Sequence, residues 1–120
     1  MDINEVPRIT CEELKQMIDH GEKVVVIDTR KNTGYHAEHI KGAINIHYEP
    51  SGYPMDREIT LSALPGDTLL VFYCDCSDDS ESAIMAVELM NLGYDVDKVR
   101  ALRGGFLRWR ELDYPAEKSK

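Results

Sequence analysis

The 120-residue chain predicts an α/β domain of three layers, a mostly parallel central sheet of about five strands flanked by helices on both faces. Two observations carry this expectation. The runs Val24–Ile27 and Leu69–Cys74 are continuously apolar, rich in β-branched and aromatic residues and free of Gly and Pro, so they read as strands buried on both faces. They alternate along the chain with stretches whose apolar residues recur at three- and four-residue spacing, the stripe of a helix lying on a sheet. The length suits one core, so 1–120 is expected to be a single domain.

Taken in order, Thr10-Cys11-Glu12-Glu13 is a capping box that starts a helix with Leu14, Met17 and Ile18 on one face and Gly21 as its stop. Cys11, in the first turn away from that face or at its margin, reads as an incidental surface residue. The strand Val24–Ile27 ends in Asp28-Thr29-Arg30, where a carboxylate at the end of a buried strand needs partners from loop amides or from Arg30. Tyr35 to His39 is expected as a helical turn and Gly42 to Ile46 as a third strand. Pro50, Gly52 and Pro54 mark a loop, and Leu61 and Leu64 a short helix closed by Pro65-Gly66-Asp67. Beyond Leu69–Cys74, a helix from Ala83 to Leu92 stops at Gly93 with Tyr94 tucked behind it. A short strand Val99–Leu102 follows, and Gly104-Gly105 leads into a last amphipathic helix ending near Leu112. The core is thus about 10–112, and the Pro-, Glu- and Lys-rich residues 113–120 read as a frayed tail.

Fourteen basic against twenty-two acidic residues give a formal charge of -8, which argues against a nucleic-acid surface and reads first as solubility. No run approaches the length of a membrane span, so no membrane partner is expected. The opening residues show no signal-like pattern, and three cysteines are too few for a disulfide scaffold, so the expected setting is cytoplasmic and reducing.

Cys76 sits between the carboxyl end of a buried strand and the amino end of a helix, where open α/β sheets commonly hold their chemistry. If the loop Ser77, Asp78, Asp79, Ser80, Glu81, Ser82 curls around it with N–H groups inward, those amides form an anion-binding concavity that favours a thiolate and a sulfur adduct on it. The available chemistry is attack on a sulfane donor, giving a persulfide on Cys76, and transfer of the outer sulfur to a thiol or cyanide-like acceptor. It requires no cofactor and no metal. Asp75, Asp78, Asp79 and Glu81 work against the thiolate and against a dianion such as thiosulfate, whereas a neutral or protein-borne persulfide suffers less. Arg100, Arg103, Arg108 and Arg110 are expected near the sheet's carboxyl edge, where some offset that charge.

Three readings compete for Cys74: a buried strand end, a resolving thiol for Cys76, or a metal ligand with His36, His39 or Cys11, for which a second ligand cluster is missing. His36 and His39 could approach the loop as a base, but an imidazole before Ile40-Lys41-Gly42 can equally hold the turn by bonding backbone groups. Trp109 and Phe106 read as packing of the last helix.

Three motifs in order carry a resemblance to a known family. They are Asp28-Thr29-Arg30 followed by Tyr35, His39-Ile40 and Gly42-Ala43-Ile44-Asn45; Tyr73-Cys74-Asp75-Cys76 followed by Ser82-Ala83 and Gly93-Tyr94; and Leu102-Arg103-Gly104-Gly105-Phe106 with Trp109. Over roughly Thr10 to Leu112 the chain resembles the single-domain rhodanese-like, or sulfurtransferase, family, and within it a subgroup with Tyr-Cys-x-Cys. The resemblance implies a rhodanese-like fold, a persulfide on Cys76, and Asp28 and Arg30 as supports. The family's spacing to the closing Gly93-Tyr94 fits Cys76 better than Cys74. Glu38 stands where a Gly usually precedes His-Ile, a change a helical backbone tolerates. The loop lacks the Gly and basic residue of efficient thiosulfate users, and no Arg or Lys occurs from Cys76 through Glu88 to grip a phosphate as related phosphatases do. The expected partner is a small-molecule or protein persulfide or thiol. The alternative is a slow or non-catalytic module for binding or for redox or sulfur sensing.

Overall fold

The computed structural model describes residues 2–50, 52–53, 55–75 and 79–119. In chain order the strands are Arg8–Ile9 (β1), Val24–Asp28 (β2), His39–Ile40 (β3), Ile44–Asn45 (β4), Leu69–Tyr73 (β5), Val99–Leu102 (β6) and Ala116–Glu117 (β7). The helices are Cys11–Asp19 (α1), Asn32–Ala37 (α2), Met55–Ser62 (α3), Ser80–Asn91 (α4) and Gly105–Glu111 (α5). A five-stranded parallel sheet runs in the order β1-β6-β5-β2-β4, with β2 and β5 paired from Val24↔Leu69 to Asp28↔Tyr73.

Period-two alternation divides the core between the sheet's faces. Ile27, Leu70, Phe72, Val99 and Ala101 pack with Leu61 of α3 and with Ala83, Met85, Ala86 and Leu89 of α4. Val26, Val71, Tyr73 and Leu102 pack with Cys11 and Leu14 of α1 and with Phe106 and Trp109 of α5. Because β2 and β5 are covered on both faces, their sequences read as unbroken apolar runs. The three-layer α/β architecture that the sequence predicts is therefore present, with helices on both faces.

Several boundaries differ from expectation. The fifth strand is β1, two residues long and seen only through its pairing with β6 at Arg8↔Ala101 and Ile9↔Leu102. The helix expected over Tyr35 to His39 begins earlier, at Asn32, and His39 is already extended in β3. The strand expected from Gly42 shrinks to Ile44–Asn45, because Gly42, at φ +86°, turns the chain between β3 and β4. Residues 114–117, expected to fray, are held: Trp109 Nε1 and the Lys41 amide donate to Pro115 O, and β7 pairs antiparallel with β3. A tail with good backbone partners orders whatever its composition.

Candidate active site

At the carboxyl edge of the sheet the Asp28 carboxylate is fully buried and fully partnered. Arg30 donates to it from its backbone amide (2.8 Å), Nε (3.0 and 3.1 Å) and Nη2 (2.8 Å), and Tyr73 Oη adds a fourth donor group at 2.8 Å. The same phenol oxygen accepts the Ile40 amide at 3.1 Å, tying β5 to β3. Arg30 also donates to Glu38 O at 2.6 Å and lies 4.6 Å from the Phe106 ring centroid. Burial works against the Arg30 charge, but the bonds and charge of Asp28 outweigh it, so Arg30 stays firmly protonated. Burial beside Asp28 likewise drives the Tyr73 phenol upward, keeping it a donor.

Arg30 Nη1 stands 3.7 Å from a carboxylate oxygen of Asp75, the last described residue before the loop. Cys76, Ser77 and Asp78 lie outside the described residues. The description resumes at Asp79, and Ser80, Glu81 and Ser82 form the first turn of α4, which opens before the expected Ala83. Ser82 is buried and donates to Asp79 O at 2.8 Å, and Cys74 Sγ lies 3.9 Å from Ser82 Oγ. Cys74 is thus a buried continuation of β5 against the start of α4. Asp79 makes no side-chain cap; instead Arg8 grips it in a two-pronged pair, Nε–Oδ2 3.0 Å and Nη2–Oδ1 3.1 Å.

Of the arginines foreseen for this edge, Arg100 and Arg108 are engaged with other partners. Arg100 bonds Val96 O and Val99 O, and Arg108 pairs with Glu12 and Glu111. Arg110 pairs with Glu38 and joins Arg30 and Asp75 around a shallow recess. The cations that answer the loop acids are Arg8 and Arg30. Sequence reasoning missed Arg8 because it reaches Asp79 across 71 residues of chain.

His39 takes the structural role: it is buried, stacked on Tyr35 at 3.8 Å, with Nδ1 donating to Tyr35 O at 2.8 Å and Nε2 3.4 Å from Glu117. His36 is exposed on α2. Glu38 is extended at φ -172°, not helical as its tolerance was expected to require. Cys11 is a correction too: it is fully buried between α1 and α5, with Sγ 3.7 Å from Arg103 O and 3.8 Å from Gly105 O, and burial pushes its thiol up to about 11. Among the described residues no group of three or more His, Cys, Asp or Glu is placed to hold a metal ion, and no helix is long and apolar enough to cross a membrane.

The sequence profile of the rhodanese-like domain matches residues 10–112. The chain belongs to the rhodanese-like family. This rhodanese-like domain is 34% identical over 110 residues to an HTH-type transcriptional regulator of Mycobacterium tuberculosis, covering 91% of this chain and 44% of the regulator. It is 24% identical over 106 residues to an adenylyltransferase and sulfurtransferase of Candida albicans, covering 87% of this chain and 23% of that protein. It thus spans less than half the length of these curated relatives. Among solved structures, a thiosulfate sulfurtransferase from Pseudomonas aeruginosa superposes with a TM-score of 0.75 at 25% identity, over 98% of this chain and 21% of that one.

Beside Asp75 and Glu81 the rhodanese-like domain opens a recess of about 370 Å³, lined also by Thr29, Arg30, Lys31, Thr33, His47 and Tyr48. Its floor is rigid: Thr29 N and Oγ1 both donate to Tyr73 O, and Tyr48 N donates to Thr29 O. Arg57, held by Glu88 at 2.6 and 2.8 Å, backs the Tyr48 ring.

Proposed function

We propose that this rhodanese-like domain is a sulfurtransferase that moves a sulfane sulfur from a persulfide, or less efficiently thiosulfate, to a thiol or cyanide-like acceptor through a persulfide on Cys76. The supporting observation is the setting of the two described residues that bracket the loop. Asp75 lies beside Arg30, and Asp79 opens α4 while its charge is taken by Arg8. A thiolate between them meets two loop acids already answered by cations. The N–H groups of Glu81 and Ser82, in the first turn of α4, have no acceptor within the helix and supply donors for an anion at this end.

In the first step the Cys76 thiolate attacks the outer sulfur of the donor. The donor S–S bond breaks, and a thiolate, or sulfite from thiosulfate, leaves with the electron pair. An acceptor thiolate then attacks the outer sulfur of the Cys76 persulfide and regenerates the thiolate, with no net oxidation and no cofactor or metal. Asp28 and Arg30 act as positioning residues: the buried pair fixes the end of β2 against β5 and holds Arg30 beside Asp75. Cys74 is left as a buried neighbour that becomes a resolving thiol only if the start of α4 opens. The setting we infer is cytoplasmic, with thiols and persulfides, small or protein-borne, as partners and neither nucleic acid nor membrane.

The likeness to part of a transcriptional regulator favours a second reading, a slow module that senses sulfane sulfur through the same cysteine. Intact mass after brief exposure to thiosulfate or to a glutathione persulfide, with peptide mapping, separates the two. One added sulfur on Cys76, abolished by Cys76→Ser, kept in Cys74→Ser and turned over by added thiol, supports the transferase. Loading without turnover supports the sensor, and loading on Cys74 overturns both.

A further inference from the structure

We propose that the recess between Lys31, Thr33, His47 and Glu81 seats a small amino-acid-derived thiol or persulfide carrying both carboxylate and ammonium groups; the assignment rests on the sulfurtransferase reading above. The recess carries unanswered charge. Arg30 is committed to Asp28, Glu38 O and Asp75, and Thr29 to Tyr73 O, so these wall residues are spent within the fold. The side chains of Lys31, Thr33, His47 and Glu81 line the same recess and make no hydrogen bond or ion pair among the described residues. The lining therefore offers an ammonium, a hydroxyl and an imidazole together with the Glu81 carboxylate, while Asp75 is paired with Arg30.

A simple dianion is drawn to Lys31 but repelled by Glu81, and a neutral thiol leaves both charged groups unanswered. A zwitterion satisfies both signs of charge, its carboxylate on Lys31 and His47 and its ammonium on Glu81. The volume of about 370 Å³ suits an amino acid or a short peptide. Asp75 and Glu81, which line the recess, flank Cys76 in sequence, and this links the recess to the sulfurtransferase reading.

The test separates binding from chemistry. S-methyl-L-cysteine and S-methylglutathione neither give nor take sulfur, and each is titrated into the ¹⁵N-labelled protein with 3-(methylthio)propanoate, which lacks the ammonium, as control. Shifts should gather at Lys31, Thr33, His47 and Glu81, and Lys31→Met and Glu81→Gln should each weaken the zwitterion about tenfold. Glu81→Gln should instead tighten the control. The tighter of the two zwitterions tells a single amino acid from a tripeptide. Kinetically, Glu81→Gln should raise KM for the matching persulfide about tenfold and lower KM for thiosulfate. Absence of shifts in the recess from both zwitterions overturns the assignment. So does an equal change of both KM values in a protein that still loads Cys76, which leaves the sulfurtransferase reading standing. Binding as expected without any loading of Cys76 supports the recess as a ligand site and sinks the transferase.

Discussion

Asp28 shows how one residue can be half legible. Its need for partners followed from a carboxylate ending an apolar strand, and Arg30 two residues on was an available one; the Tyr73 hydroxyl, on the neighbouring strand, was visible only once Asp28↔Tyr73 were in register. Asp28→Asn should cost about 3–5 kcal/mol in urea unfolding, because it leaves the Arg30 guanidinium, 12% exposed, without its counter-charge. Tyr73→Phe should cost about 1–3 kcal/mol, since the buried Ile40 amide loses its acceptor. Cys11 supplies a pH prediction. Its thiol is raised from an ordinary 9.0 to about 11, so its stabilising contribution is whole below pH 9.0 and is lost as pH rises through about 11. Tyr73 shifts in the same direction, so stability should decline on the alkaline side, and less steeply in Cys11→Ala, by urea melts at about pH 8 and about pH 10.5.

At the scale of elements, the start of α4 is where sequence patterns and tertiary contacts diverge most. Apolar spacing located the helix body, but its first residues are Ser80 and Glu81, and the acid before them is turned to Arg8 of β1 instead of capping the helix. Arg8 Nη1 also donates to Ile3 O and Val6 O, so one side chain clamps the N-terminal segment, β1 and α4 together. Arg8→Met should therefore lower stability by about 1 kcal/mol, the pair being partly exposed. On the proposed mechanism it should also slow sulfur loading from thiosulfate more than from a neutral persulfide, because an uncompensated Asp79 repels the dianion. Equal slowing, measured by stopped-flow mass analysis, would show that Arg8 acts on loop structure and not through charge.

For the whole molecule, the folded unit is larger than the stretch that carries the family motifs. Val6 and Ile9 are buried at 3% and 7% exposure, β1 completes the sheet, and β7 is paired to β3. A chain trimmed to residues 10–112 should lose about 3–5 kcal/mol from the burial of Val6 and Ile9 alone, read as a lower urea midpoint. It should also free the Trp109 indole, which donates to Pro115 O, giving a red-shifted emission. An unchanged midpoint would mean that both terminal segments merely lie on the surface.

By itself the sequence determined the α/β class, the two central strands, the capping box at Thr10 and the position of Cys76 in the chain, because these follow from local periodicity, turn chemistry and short motifs. Tertiary structure alone decided the two-residue strands β1 and β7, the burial of Cys11, the Arg8–Asp79 pair and the mixed-charge recess. A two-residue strand has no periodicity to read, and an ion pair across 71 residues leaves no mark on either neighbourhood. Such features exist only when the sheet has brought distant segments to one edge.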